Sequence, residues 1–185
     1  ATPIFVDVDD GANIDLNLCE DALKKDGSIK AIFAVDFTGR CVDPDGLRFL
    51  KDKYGVKILE DAAHSLGSTH LAKGSDLATL SFHPVKHIAT GEGGMATTNS
   101  KKLYEKLCLY RTHGITKDPA LLCENHGGWY YEMQELGYNY RITDFQAALG
   151  ISQLKRADFQ QTIDGKQTDL YFLRNKIGRA SCRER

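Results

Sequence analysis

Short apolar runs that alternate with amphipathic segments constrain the fold of this chain more than any other feature. Residues 31–35 form one such run and residues 56–59 form the next. Between them, Asp43 and Pro44 supply an N-cap and a proline at the first helical position, and Gly55 is suited to end a helix. Strands separated by a helix of about a dozen residues imply crossover connections. The sequence therefore predicts an α/β fold with a mainly parallel sheet and flanking helices.

Further strands are predicted on both sides of this unit. Residues 3–8 have the pattern of a short buried strand, and residues 77–82 and 95–98 form two more apolar runs. The spacing between strands falls from about 25 residues to about 15 after Phe82. The later strands therefore need not be parallel to the earlier ones.

Two capping boxes and one apolar stripe predict three further helices. Asn17 with Glu20 opens the first helix, and Thr143 with Gln146 opens the last, which continues through Leu154. The middle helix is indicated by Leu103, Leu107 and Tyr110 at helical spacing, and a loop over residues 118–131 follows it.

Composition excludes several classes of partner. A net charge of −1 over 185 residues gives no concentrated positive charge for nucleic acid or an anionic membrane. No apolar run approaches the roughly 20 residues of a membrane-spanning helix. The five cysteines are odd in number and lack Cys-x-x-Cys spacing, which favours reduced packing residues over a metal site. We therefore expect a cytoplasmic protein without a bound metal.

Asp61 and Lys86 occupy positions where parallel sheets gather their functional residues. Asp61 follows the run at 56–59, and Lys86 lies just past the run that ends at Phe82. Taken alone, such an aspartate is more often a helix N-cap or turn residue, and a lysine is usually a surface residue. Burial at a strand end would lower the pKa of Lys86 and leave a nucleophilic amine.

The residues around Asp61 and Lys86 suit a flat, phosphorylated ligand. Ala63 leaves room for such a ligand, and His64 has a donor for a ligand oxygen, although a lone histidine is more often a satisfied loop residue. Ser81 offers a hydroxyl to a phosphate oxygen. The pair of carboxylate and lysine describes a pyridoxal 5′-phosphate site, because the carboxylate keeps the pyridine nitrogen protonated and the lysine forms the Schiff base. A non-catalytic phosphate-binding α/β module is the alternative.

Five ordered motifs stand at residues 60–67, 81–86, 90–94, 111–114 and 137–141. Together they resemble the DegT/DnrJ/EryC1/StrS family of sugar-nucleotide aminotransferases. The resemblance extends in register from about Ile4 to about Phe159. It implies the large domain of the fold type I (aspartate aminotransferase-like) transferases, here incomplete.

This resemblance implies a role for each candidate site residue. Lys86 is the lysine that binds pyridoxal 5′-phosphate covalently and moves a proton between the substrate carbon and the cofactor. Asp61 pairs with the pyridinium nitrogen, and Ala63 packs on the ring face. His64 lies near the ring hydroxyl, and Ser81 binds the phosphate. Lys86 also separates aminotransferases from the sugar 3-dehydratases of the family, which carry histidine there.

The resemblance further implies a reaction and an assembly. Residues 127–134 with His83 and Pro84 are most similar to the transaminases of pseudaminic acid synthesis. They imply transfer of an amino group, with glutamate as the expected donor, to the 4-keto carbon of a UDP-linked deoxy sugar. Sugar nucleotides of the arabinose or perosamine type are the alternatives. Asn139 is expected to reach the phosphate of the partner subunit's cofactor, so the active unit is a homodimer.

The resemblance also divides the chain. Residues 1–158 correspond to the central part of the cofactor-binding large domain, and residues 159–176 to a helix leading towards a small domain. Residues 177–185 match the translation of a common short-read sequencing adapter, so we expect them to be non-native. The family's upstream phosphate-capping segment has no counterpart here. We therefore expect little or no activity from these 185 residues alone.

Overall fold

A computed structural model describes residues 1–124 and 126–157 of the chain. Contacts between residues divide the chain into two compact units. One comprises residues 1–98 together with the segment that begins at Phe145, and the other comprises residues 99–144. The predicted segments 159–176 and 177–185 lie outside the described residues.

The first unit contains a four-stranded sheet in the order β1-β2-β3-β4. Strands β1, β2 and β3 are parallel, and β4 is antiparallel to β3 because the short connection between them contains no crossover helix. The predicted mainly parallel sheet with flanking helices is confirmed. In chain order the elements are α1 (Leu16–Lys25), β1 (Ala31–Val35), α2 (Pro44–Tyr54), β2 (Lys57–Asp61), β3 (Leu77–Ser81) and β4 (Gly94–Thr97).

Helix α2 begins and ends where the sequence predicts. The Asp43 carboxylate accepts hydrogen bonds from the amides of Asp45 and Gly46 at 3.1 Å, and Pro44 is the first helical residue. Gly55 ends the helix with a left-handed backbone at φ 67°. These signals act within a single turn of helix, so the sequence alone was sufficient to locate both ends.

The predicted cap of helix α1 is wrong by two residues. Asp15, in an extended backbone conformation, accepts hydrogen bonds from the amides of Asn17 and Leu18. Asn17 therefore lies in the first turn rather than at the N-cap. The physical reason is that the Asp15 carboxylate accepts from both amides at once, which satisfies two of the helix's unpaired donors.

The predicted strand over residues 3–8 is also wrong. Val8 forms a single antiparallel bridge to Ile14, and no ladder develops there. Ile4 and Phe5 are 54% and 91% exposed, while Val6 packs against the core. A short apolar run does not specify a pairing partner, so its composition alone could not distinguish a strand from an extended surface segment.

The core lies on one face of the sheet. Ile32 and Ile58 point to this face and pack with Leu47 of α2. Alternate residues point the other way, and on β1 these are Phe33 and Val35, which are 68% and 45% exposed. The sheet therefore has a covered face and an outward face.

The second unit consists of α3 (Lys101–Arg111) and a hairpin of β5 (Ile115–Thr116) with β6 (Glu132–Met133). The predicted middle helix is confirmed, and the predicted loop lies between the two strands. Gly114 has φ 68° and lies against the carbonyl of Glu135, so no side chain fits at that position.

The last predicted helix is confirmed as α4 (Asp144–Leu154). The side-chain amide of Gln146 donates to the carbonyl of Glu92 at 2.9 Å. This contact joins α4 to the turn that precedes β4. None of the helices within the described part of the chain is long and apolar enough to cross a membrane.

Candidate functional site

The carboxyl ends of β2 and β3 meet at one edge of the sheet. Asp61 is the last residue of β2 and pairs in register with Thr79, and Ser81 is the last residue of β3. Strand β2 continues two residues beyond its predicted end at Leu59, so Asp61 lies inside the strand. Its register partner on β1 is the outward-facing Val35. The Asp61 carboxylate therefore points to the outward face.

The turn after Asp61 is held by hydrogen bonds that backbone amides donate. The Asp61 Oδ1 atom accepts from the amide of Ala63 at 3.1 Å. The amide of Ala62 donates to a carbonyl of β3 at 2.9 Å, and its own carbonyl accepts from the amide of Ser65 at 3.1 Å. Ala62 is fully buried, whereas Ala63 and His64 are partly exposed. The turn thus presents a small side chain and an imidazole to solvent.

Lys86 lies in the loop that leaves β3. Its amide donates to the carbonyl of His83 at 2.9 Å, which forms a tight turn after the strand. The hydroxyl oxygen of Ser81 accepts from the amide of His83 at 3.3 Å. The partly exposed Ser81 and Lys86 therefore share one short, hydrogen-bonded segment.

The glycine-rich turn closes this loop at its base. The amide of Phe82 donates to the carbonyl of Gly93 at 2.8 Å, and its carbonyl accepts from the amide of Thr90 at 2.9 Å. A Cβ atom on Gly94 would lie 2.8 Å from the carbonyl oxygen of Leu80. Glycine at position 94 thus allows β4 to approach β3 closely.

Burial and neighbouring charges alter the pKa values of Lys86 and His64. Partial burial lowers the pKa of Lys86, and attraction to the Asp61 carboxylate opposes this change. The pKa of His64 is also lowered, first by burial and then by repulsion from Lys86, while Asp61 acts in the opposite direction. Burial therefore shifts both basic groups towards their neutral forms.

Asn139 lies in the second unit, apart in sequence from the other predicted site residues. It forms an isolated antiparallel bridge with Thr112, and the amide of its neighbour Tyr140 donates to the carbonyl of Arg111 at 3.0 Å. Its predicted contact with a partner subunit stays a prediction.

Sequence reasoning missed three buried polar residues beneath the edge that carries Asp61. Asp36, Glu60 and Ser65 are 1%, 4% and 2% exposed. The sequence contained a signal for Glu60, because strand alternation places this residue on the same face as the core residue Ile58. A carboxyl group at a core position indicates a buried polar network.

Comparison with known proteins gives a family match over most of the chain. The model of the DegT/DnrJ/EryC1/StrS aminotransferase family matches residues 1–177. The chain is 44% identical over 159 residues to a UDP-4-amino-4,6-dideoxy-N-acetyl-β-L-altrosamine transaminase of Campylobacter jejuni, covering 83% of this chain and 40% of that protein. It is 39% identical over 166 residues to a GDP-perosamine synthase of Caulobacter vibrioides, covering 85% of this chain and 41% of that protein.

A solved structure supports the same relationship. The chain superimposes on Helicobacter pylori PseC, an aminotransferase involved in the biosynthesis of pseudoaminic acid, with a TM-score of 0.74 and 34% sequence identity. The superposition covers 84% of this chain and 40% of the other. The chain spans 40% to 42% of the length of the first curated relatives it matches.

Proposed function

Because the chain belongs to the DegT/DnrJ/EryC1/StrS aminotransferase family, we propose that the full-length protein is a pyridoxal phosphate-dependent sugar-nucleotide aminotransferase. The observation that carries this proposal is the placement of Asp61 and Lys86 at one sheet edge. The carboxylate stands at the end of β2 and the partly buried amine stands in the loop that leaves the adjacent parallel strand β3, and the carboxylate opposes the lowering of the amine's pKa.

The groups at this edge fit pyridoxal phosphate. The Asp61 carboxylate suits a protonated ring nitrogen, the Lys86 amine suits the carbonyl carbon, and the Ser81 hydroxyl suits a phosphate oxygen. Ala63 offers a methyl group to the face of a flat ring. When bound, the cofactor supplies a conjugated ring that accepts the electron pair released at the substrate carbon.

Lys86 is assigned the covalent and proton-transfer roles. Its lowered pKa increases the fraction of neutral amine, which is the nucleophilic and proton-accepting form. The amine would carry a proton from the substrate carbon to the cofactor in one half-reaction, and from the cofactor to the substrate carbon in the other. His64, with its pKa lowered, acts as a neutral imidazole that donates a hydrogen bond to the ring oxygen.

Asp61 is assigned an electrostatic role. Its carboxylate is fixed by the amide of Ala63, so one oxygen is oriented before any ligand arrives. A preorganised negative charge stabilises a protonated ring nitrogen without reorganisation during the reaction. Ser81 holds the phosphate at the end of the neighbouring strand.

The proposed substrate is the 4-keto form of a UDP-linked deoxy sugar, with glutamate as the amino donor. The similarity to the Campylobacter jejuni transaminase supports the UDP-linked sugar. The proposed active unit is a cytoplasmic homodimer in which Asn139 reaches the partner subunit's cofactor phosphate.

Borohydride reduction tests the assignment of Lys86. The full-length protein is incubated with pyridoxal phosphate, reduced and digested, and the labelled peptide is identified by mass spectrometry. We expect a single label at Lys86, and none in Lys86→Ala. A label on another lysine would refute the assignment. A protein that bound inorganic phosphate but gave no cofactor absorbance would be the non-catalytic phosphate-binding module.

The similarity to the Caulobacter vibrioides synthase favours a second substrate, a GDP-linked sugar of the perosamine type. An assay with ¹⁵N-glutamate and 4-keto-6-deoxy sugars linked to UDP or GDP separates the two candidates. We expect the label in the UDP-linked amino sugar. Transfer to the GDP-linked sugar alone, or to a UDP-linked 4-keto arabinose alone, would replace the proposed substrate.

A further inference from the structure

A buried pair of carboxyl groups lies directly beneath the candidate site. Asp36 and Glu60 are 1% and 4% exposed, and their side-chain oxygens lie within 4.8 Å of one another. Within residues 1–124 and 126–157, no lysine, arginine or histidine forms an ion pair with either group. Two buried carboxylates at this distance repel strongly, so one of them is expected to hold a proton.

The strand register explains how the pair forms. Ala34 pairs with Glu60 and Val35 pairs with Asp61. The amide of Asp36 then donates to the carbonyl of Asp61 at 3.0 Å, which extends the pairing by one step. Alternation places Asp36 and Glu60 on the covered face and Asp61 on the outward face. The pair is thus anchored to the backbone that carries the Asp61 carboxylate.

Hydrogen bonds connect the pair to the two loops that follow β1 and β2. The Asp36 Oδ2 atom accepts from the hydroxyl of Ser65 at 2.5 Å, and its Oδ1 atom accepts from the amide of Val42 at 3.0 Å. The Glu60 Oε1 atom accepts from the amide of Ala72 at 3.1 Å. Ser65 belongs to the turn after β2, so the pair holds the segment that presents the ring-facing residues.

The same hydrogen bonds indicate which group holds the proton. The Asp36 carboxylate already accepts two donors, the amide of Val42 and the hydroxyl of Ser65. Burial raises the pKa of Glu60, the hydrogen bond from the amide of Ala72 opposes this, and the charge of Asp36 raises it further. Glu60 is therefore the group suited to remain protonated and to donate to Asp36.

A metal ion is a poorer explanation of this cluster. The Sγ atom of Cys41 lies in the same group of atoms. Burial raises the pKa of this thiol to about 12, so the thiolate that a metal would need is strongly disfavoured. The thiol instead donates to the hydroxyl of Ser68 at 3.0 Å.

We propose that Glu60 and Asp36 share one proton and, through Ser65, position the turn that presents Ala63 and His64 to the cofactor. Both are positioning residues, because they lie on the face of the sheet opposite to the Asp61 carboxylate. The cofactor part of this inference rests on the proposed function. The shared proton is a property of the folded chain itself.

Infrared difference spectroscopy tests the shared proton without reference to activity. The spectrum of the Glu60→Gln variant is subtracted from that of the full-length protein at neutral pH without cofactor. We expect a carbonyl band of a protonated carboxyl group in the unmodified protein and its loss in the variant. A difference spectrum without this band would overturn the shared proton.

Cofactor affinity tests the positioning role. The amide of Glu60→Gln donates to Asp36 as the protonated acid does, and its oxygen still accepts from Ala72, so we expect a dissociation constant for pyridoxal phosphate within about twofold of the original. Ser65→Ala removes the hydrogen bond between Asp36 and the turn after β2, and Glu60→Leu removes the donor to Asp36. They are expected to weaken binding about tenfold, the size of one lost buried hydrogen bond, and to shift the absorbance of the bound cofactor.

The control is Ser28→Ala, which removes an exposed serine hydroxyl in the loop after α1. It should leave affinity and absorbance unchanged. The positioning role is overturned if Ser65→Ala binds as the unmodified protein does, or if Glu60→Gln is as weak as Glu60→Leu. If the unmodified protein bound no cofactor, both the proposed function and the positioning role would be rejected. The infrared band would still test the shared proton, because that measurement uses the protein without cofactor.

Discussion

Glu60 and Asp61 are adjacent carboxyl residues on β2 whose side chains lie on opposite faces of the sheet. Glu60 points to the covered face, where burial raises its pKa, and Asp61 points outward, where its carboxylate is exposed. One residue of offset in β2 would exchange these positions, because side chains alternate along a strand. The chemistry of the site therefore depends on strand register as much as on residue type.

Replacement of Asp61 should reduce turnover more than it reduces attachment of the cofactor. In Asp61→Asn the charge that stabilises a protonated ring nitrogen is lost, and we expect turnover to fall roughly 10²- to 10³-fold, as for other preorganised electrostatic contacts. The cofactor should still attach to Lys86. Steady-state kinetics and borohydride mapping measure the two effects. Asp52→Asn, an exposed aspartate of α2, is the control, and an Asp61→Asn variant with full turnover would contradict the assignment.

The lowered pKa of Lys86 predicts a specific pH dependence. Deprotonation is favoured by burial and opposed by Asp61, so Lys86 should react with trinitrobenzenesulfonate at lower pH than an ordinary lysine of pKa about 10.4. Removal of the carboxylate in Asp61→Asn should move the reaction to still lower pH. Peptide mapping of the cofactor-free protein follows the rate, with exposed Lys102 as the internal reference. Identical pH profiles for the two lysines would contradict the prediction.

At the scale of elements, the site is formed by the segment that links two paired strands. Ser81 pairs with Gly94, so the loop carrying Lys86 begins and ends on the same rung of the β3–β4 ladder. Thr90 and Gln146 both donate to the carbonyl of Glu92, at 2.7 Å and 2.9 Å. Helix α4 and the sheet thus restrain this loop from two directions.

Adding one carbon atom at position 94 should disturb this segment. The Cβ atom of Gly94→Ala would meet the carbonyl oxygen of Leu80 at 2.8 Å, so β4 must move away from β3. We expect a loss of about 1–3 kcal/mol in the free energy of unfolding, as for other overpacked sites, with weaker cofactor binding. Urea unfolding and cofactor titration measure the two losses. Gly27→Ala, which meets no atom within 4 Å, should show neither; equal behaviour of the two variants would contradict the steric argument.

At the scale of the whole molecule, the sheet of the first unit has one covered face and one outward face. Phe33 and Leu59 are register partners on the outward face, beside Val35 and Asp61. Phe33 is 68% exposed. An apolar patch next to a polar candidate site is typical of a surface that contacts other protein segments.

The outward face predicts how residues 1–185 behave when expressed alone. We expect them to bind a hydrophobic dye such as anilinonaphthalene sulfonate, to self-associate, and to show little or no turnover. Phe33→Ser should reduce the dye fluorescence more than Phe49→Ser, since Phe49 is an exposed residue of α2 away from the sheet face. Circular dichroism checks that both variants fold. Turnover by this chain alone, or equal dye binding by the two variants, would refute the prediction.

The sequence by itself determined the features that depend on a few neighbouring residues. It located helix α2 between Asp43 and Gly55, identified β1 and β3 by their apolar runs, and brought Asp61 and Lys86 forward as the residues suited to a pyridoxal cofactor. Caps and side-chain periodicity act within one or two turns of chain, so the sequence carries these signals directly.

Only the tertiary structure decided which distant segments meet. It replaced the strand over residues 3–8 with a single bridge, placed Asp61 on the outward face, and joined Asp36 to Glu60 and Ser65 beneath it. These outcomes depend on register, burial and long-range hydrogen bonds between segments far apart in the chain. A residue's type states which interactions it can make, and the fold determines which of them it does make.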